Sequence, residues 1–250
     1  MTGAPVLPKY YRIEMQLRRR VSQLPVLAPL PSEPKLARDL GVSRTTLRLA
    51  IEVLTREGLL SRQQGKGTFV TASGIDFPLE SGPEKTGTPP EEDLIHRLVD
   101  YRIVRATTRY ATLFGITAGA PVLRVRRKTK YRGLNMGVGT LHVPKALVPG
   151  VKRGEFERGR FFDTLVRHRV EIARHRISIE CVVFEERVAR LVGVRSGLPA
   201  IALTRLALDA DMQALAEVYV ETRGDIGRYT LELQADRHAD HEAVVRLEHA

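Results

Sequence analysis

The chain has 250 residues, 43% hydrophobic and 28% charged, enough apolar material for one medium domain or two small ones, which excludes a largely disordered protein. No run of about 18 apolar residues occurs, and the first residues lack the charged and apolar blocks of a signal peptide, so a soluble, cytoplasmic protein with no membrane partner is expected. The one cysteine, Cys181, excludes an internal disulfide and a cysteine-based metal or redox motif, and the net charge of +11 favours an anionic partner.

Charge is concentrated at the start. Residues 1–72 carry twelve Lys and Arg against five Asp and Glu, the excess expected where a segment meets nucleic acid. Within it, Ser32 can cap a helix that tolerates Pro34 in its first turn. Gly41-Val42-Ser43 then reads as a turn, with Ser43 capping a second helix. In that helix Leu47, Ala50, Ile51 and Leu54 share an inward face, which leaves Arg44, Thr45 and Arg48 pointing outwards. Two short strands are expected at 59–62 and 68–70, joined by a tip containing Gly65 and Lys66. This order describes a winged helix-turn-helix, whose second helix reads the major groove of double-stranded DNA.

Residues 73–93 hold four prolines and three glycines, which argues against a long helix or a central strand and predicts a linker. Beyond it the chain repeats itself. ATLFGITAGAPVLRVRR ending at Arg127 recurs as ARLVGVRSGLPAIALTR ending at Arg205, with Ala, Leu, Gly, Gly, Pro and Arg in step. Each copy reads as a helix ended by a glycine, a turn through Gly-x-Pro and a strand. Further strands are expected at 177–184, where Cys181 reads as a buried small hydrophobe, and at 215–221. The fold class is α+β with a mainly antiparallel sheet. Its organisation is a winged domain over 1–72, a linker over 73–93, a second domain over 94–235 and a polar tail over 236–250.

LPSE, LARDLGVSRTTLR, EGLL and GKGTFV resemble the DNA-binding domain of GntR-type bacterial transcription regulators. The resemblance implies DNA contacts from Arg44, Thr45, Thr46, Arg48 and Gly65, with Lys66 adding charge at the tip. The arginine that follows the PSE triplet in the family is Pro34 here, which removes one base contact. The twofold repeat is similar to the UTRA effector domain of the HutC subfamily. That likeness implies a chorismate-lyase-like fold, a homodimer, an inverted-repeat operator and release of a repressor by a small metabolite.

On the strand after Pro121, Arg124, Arg126, Lys128 and Lys130 read as a solvated basic face, alternating with Val125, Arg127, Thr129 and Tyr131. By resemblance Arg127 is the first of two effector-binding arginines, and Thr129 replaces the second. The family glutamate falls at Gly139, and the serine and tyrosine of its loop at Arg160 and Phe162. Glu217 and Tyr229 match a strand glutamate and a C-terminal tyrosine. A small anionic effector other than an amino-sugar phosphate is therefore expected, with Arg127 as its main charge partner. Arg160 is either a second charge partner or a surface loop residue, and Arg205 either lines the same pocket or pairs with a surface acid.

Two other readings are a chorismate-lyase-like enzyme and a DNA-binding protein with a vestigial pocket. No nucleophile motif, phosphate loop or paired carboxylates stand out, so no catalytic residue is expected. No cofactor or metal is expected either, since His238, Asp240 and His241 lie in a polar stretch that reads as a solvated helix. A membrane-surface role would need a broad apolar face opposite the N-terminal cations, and those apolar residues are required for the domain's own core.

Overall fold

The computed structural model describes residues 9–72, 75–79 and 93–231. The tail motif at His238, Asp240 and His241 and most of the expected linker lie outside these residues.

The N-terminal domain starts with α1 (Lys9–Ser22), an element absent from the expectations above although Ile13, Leu17 and Val21 recur at helical spacing and are all buried. Next come α2 (Glu33–Asp39) and α3 (Arg44–Arg56). Ser32 occupies the N-cap of α2 without a side-chain bond, whereas Ser43 caps α3 as expected, its Oγ accepting from the Thr46 amide at 3.1 Å. Leu47, Ala50, Ile51 and Leu54 are all buried, so the helical period read from the sequence is the packed face. Truncating one of these leucines to alanine costs about 2–5 kcal/mol.

The wing is the antiparallel pair β1 (Leu60–Gln63) and β2 (Gly67–Val70). Gly65 and Gly67 take positive φ at its tip, with nothing within 4 Å of a Cβ built on either, so the turn is left-handed and open. A third segment joins the wing: Leu30 N–H donates to Thr68 at 2.8 Å and Val70 N–H to Ala28 at 3.0 Å.

Part of the expected linker is structured. Strand β3 (Ile75–Leu79) pairs in parallel with β10 (Gly227–Leu231) at the far end of the chain. Proline is tolerated at Pro78 because this two-stranded sheet has no central strand.

The second domain is a six-stranded antiparallel sheet. Its strands are β4 (Leu94–Arg105), β5 (Pro121–Tyr131), β6 (Leu134–Pro144), β7 (Arg174–Val183), β8 (Pro199–Leu208) and β9 (Ala214–Arg223), in the order β4-β5-β6-β9-β8-β7. The two sequence repeats become two βαββ halves that meet where β6 pairs with β9. Both repeat helices, α4 (Thr108–Phe114) and α6 (Glu186–Val192), end on a left-handed glycine, Gly115 and Gly193. The loops share equivalent backbone bonds. Gly119 N–H donates to Ala106 and Gly197 N–H to Phe184, both at 2.9 Å, while Ile116 donates to Ala111 and Val194 to Ala189, both at 3.0 Å.

The helix α4 packs on β9 and α6 on β6, covering one face of the sheet. The other face is covered by α5 (Phe161–Arg167) and the segment before it, around Phe156, Phe161, Phe162 and Leu165. Alternation along each strand divides every expected effector residue between these two faces.

Candidate functional site

In the DNA-binding domain, Arg44 and Thr45 project fully exposed from the first turn of α3, and Arg48 stands one turn further along. Thr46 is half-buried and its hydroxyl shares a 2.9 Å bond with Ser43 Oγ, so it serves the cap. Gly65 and Lys66 form the exposed wing tip. Reading the sequence missed Glu33 and Arg62. Arg48 Nε donates to Glu33 at 2.6 Å and Arg62 donates to the other oxygen of the same carboxylate at 3.4 Å, which ties α2, α3 and the wing together. Arg62 was detectable as an outward residue of the wing strand; its sharing of Glu33 was not.

On the α5 side of the sheet, Arg127 is 5% exposed. Its Nη1 donates to the carbonyls of Gly159 at 2.7 Å and Phe156 at 3.2 Å, and its guanidinium lies 4.0 Å from the centre of the Phe161 ring. Thr129, two residues along the same face, shares a 2.9 Å hydrogen bond with His96 Nδ1. Burial, and then the charge of Arg127, lowers the His96 pKa to about 3, so the imidazole is neutral. His96 was not anticipated, since β4 carried no assigned element.

Gly139 pairs with Arg127 in register, and a Cβ there would stand 3.1 Å from Phe161 Cε2. The phenylalanine occupies the space that a family glutamate would need. Arg160 precedes α5, its amide donating to Asp163 at 3.2 Å, and Phe162 is 9% exposed. Tyr229 reaches the same face from β10, with its hydroxyl 3.2 Å from Thr222, which aligns through Gly137 with Thr129. Its ring packs against the apolar core of the N-terminal domain.

Glu217 does not belong to this group. It pairs with His142 and Leu206 on the helix-covered face, is 3% exposed, and accepts from both Nη atoms of Arg109 and from the Tyr110 hydroxyl at 3.1 Å. A one-residue shift in strand register reverses the face, which is why a gapped alignment misplaced it. The basic face of β5 also needs correction: Arg124 is half-buried and donates to Asp100 at 2.9 and 2.7 Å. Arg126 lines a cleft of mixed charge with Asp100, Glu185 and Arg187. Arg205 does not pair with a surface acid, being 8% exposed with its guanidinium 4.8 Å from the Phe162 ring. Cys181 is exposed rather than buried, because it lies on the outer strand β7, six residues beyond His175, where Phe162 of α5 touches that strand.

Residues 9–70 match the bacterial regulatory proteins of the gntR family, and residues 92–223 match the UTRA domain. The chain belongs to the GntR family. It is similar to the HTH-type transcriptional repressor NagR of Bacillus subtilis, 27% identical over 92% of this chain and 96% of that protein. It is also similar to the repressor PhnF of Mycolicibacterium smegmatis, 26% identical over 97% and 98% of the two chains. The crystal structure of PhnF from Mycobacterium smegmatis superposes with a TM-score of 0.60 at 24% identity, covering 90% of this chain and all of the other, which shows a common fold. Like other GntR regulators of this type, the protein is a DNA-binding transcription regulator with a domain for small-molecule effectors. Family and relatives are regulators, which fits a protein that is not an enzyme. No helix among the described residues is long and apolar enough to cross a membrane.

Proposed function

We propose that the protein is a repressor that binds an inverted-repeat operator as a homodimer and is released by a small anionic metabolite held at Arg127. The observation that carries the DNA half is the first turn of α3, where Arg44 and Thr45 stand exposed above a wholly buried apolar face. In this arrangement the two α3 helices of a dimer enter successive major-groove segments, with Lys66 and Arg62 directed at the backbone. The effector half rests on Arg127, a buried cation on the inner face of the sheet, on the same face as Thr129 and against Phe161, with Arg160 and Phe162 the residues that flank Phe161 in the chain. A guanidinium in that position selects a carboxylate or phosphate by forked hydrogen bonds.

The β5–β6 hairpin supports a route between the halves. Arg127 and Thr129 lie on β5, and at the hairpin's end Leu134 Cδ1 stands 2.8 Å from where a Cβ on Gly58 would be, just past the end of α3. A ligand changes operator affinity only by binding two arrangements unequally, and this hairpin is a stiff element that both sites touch.

Fluorescence anisotropy with an operator duplex tests the reading. Arg44→Ala and Arg48→Ala weaken specific binding on the order of tenfold or more, as expected for lost base contacts, while Lys128→Ala leaves it unchanged. Equal losses at α3 and at Lys128 would remove the assignment. A thermal-shift screen of anionic metabolites against wild type and Arg127→Ala tests the pocket, which is wrong if the best hit stabilises both proteins equally. Purified protein releases no pyruvate from chorismate, and chelators leave operator binding intact; either effect, if observed, contradicts the proposal.

A further inference from the structure

The repeat that places Arg127 at the effector site also places Arg205 on the same face of the sheet, four strands over from β4 rather than one. Each arginine lies against one of two consecutive aromatic residues of α5, Arg127 on Phe161 and Arg205 on Phe162. Their polar surroundings differ. Arg127 is anchored to two backbone carbonyls, whereas the buried Nε of Arg205 has no hydrogen-bond partner. No ion pair joins Arg205 to a carboxylate among the described residues. The charges nearest to it are Arg160, which repels it, and Asp163, which attracts it. Burial, then Arg160, lowers its pKa to about 10, the direction expected of a cation short of negative charge.

A second unsatisfied group stands beside it. His175 lies on β7 with its ring 4.8 Å from Phe162, and its Nδ1 is buried without a partner. Burial, followed by the charge of Arg205, lowers its pKa to about 4 against a bond to the Leu206 backbone that raises it, so the ring is neutral and reaches an anion through Nδ1 only in its Nδ1–H tautomer. Buried polar groups in folded proteins are almost always bonded, and leaving a buried cation without counter-charge is costly. Two such groups against one aromatic ring, at the repeat-related position of the arginine proposed to bind the effector, mark a place where an anion completes the structure.

We infer that Arg205, with Arg160 and His175, forms a second anion-binding subsite, so that the effector carries two anionic groups, one at Arg127 and one at Arg205. The inference rests on the effector reading of Arg127. Three strand spacings separate β5 from β8, about 14 Å between backbones, and the two long side chains converge on adjacent rings of α5. A ligand that engages both guanidinium groups is a small metabolite with an anionic group at each end, such as a bisphosphate, a phosphorylated carboxylic acid or a dicarboxylate. Arg160, whose charge acts on Arg205, adds to the positive potential of the second subsite.

Thermal unfolding of the full chain in inorganic phosphate, against potassium chloride at equal ionic strength, tests this directly. Arg205→Met preserves the stem that covers Phe162 and removes the uncompensated charge. It leaves the phosphate-free Tm equal to wild type or higher, and about halves the Tm rise that phosphate produces. A merely structural arginine gives the opposite pattern, a lower phosphate-free Tm with an unchanged phosphate effect, and that result overturns the subsite. His175→Phe, which keeps the aromatic contact and removes Nδ1, likewise diminishes the phosphate effect without lowering the phosphate-free Tm; an undiminished effect counts against the subsite. The effector reading is tested separately by Arg127→Met: a phosphate effect untouched there but reduced in Arg205→Met retains the second subsite and overturns the first. A wild-type protein that phosphate does not stabilise overturns both.

Discussion

Glu33 holds Arg48 and Arg62 together in the free protein, and DNA phosphates offer the same two cations a competing anion. The pairs are exposed, so they hold little of the fold's stability. Glu33→Gln is therefore expected to leave Tm essentially unchanged while tightening non-specific DNA binding at low salt and steepening its salt dependence by about one counterion. An unchanged salt slope would show that Arg48 and Arg62 do not reach phosphates. The outward set Arg44, Thr45 and Arg48 was legible from helical spacing alone, since one buried stripe fixes the opposite face. Their acidic partner was not, because Glu33 lies in a different helix. The same limit explains Cys181 and Glu217: alternation separates the two sides of a strand but does not say which side a helix covers.

At the scale of elements, the repeat was the most legible feature, because a left-handed glycine, a Gly-x-Pro turn and a strand leave fixed residue types at fixed spacing. Helix α1 and strand β3 were not. The first has a polar composition with two buried charges, Glu14 and Arg18, and the second lies in a proline-rich stretch where pairing depends on a strand at the other end of the chain. The outer strand β7 adds a consequence for assembly. Ile179 is 46% and Val183 57% exposed, on the same side as Cys181, beside a strand edge with no partner among the described residues. Such an edge is an invitation to pair unless it is covered, so it is the contact expected for the homodimer proposed above. If the proposed homodimer forms there, wild type is dimeric in light scattering and Ile179→Lys combined with Val183→Lys is monomeric, with no loss of secondary structure. Maleimide labelling of Cys181 should accelerate in the same variant. A dimer that persists places the contact elsewhere.

In the whole molecule the two domains are joined by a buried cluster of charges that no local pattern announces. Arg18 of α1 donates to Glu14 at 2.8 Å, to Asp225 at 2.6 Å and to Glu57 at the C-cap of α3. Arg223, at the end of β9, donates to Asp225 at 2.7 Å and to the Glu57 carbonyl at 3.0 Å. Arg195 adds a bond to Glu14 at 3.1 Å. The recognition helix thus ends on residues supplied by the effector domain. Burial raises the Asp225 pKa, but its bonds to Arg223 and the charges of Arg223 and Arg18 outweigh that, leaving it below the ordinary value. For a carboxyl depressed in the folded state, the stabilisation is present above its unfolded pKa of about 4 and disappears as pH falls through the lower folded value. Glu57 is shifted the other way, burial outweighing the charge of Arg18, so its own contribution has the opposite sign: it is present below the unfolded pKa and is lost as pH rises through the higher folded value. Removing the central cation in Arg18→Met leaves three buried carboxylates facing one another without it, a loss of about 3–5 kcal/mol. Because the cluster and the apolar contact of Leu134, Met136 and Ile226 with the N-terminal core span both domains, wild type should unfold in one calorimetric transition. Arg18→Met should unfold in two, the winged domain first, with operator affinity no longer responding to effector. A single transition at a merely lower temperature, with the effector response intact, would mean that the apolar contact alone carries the coupling.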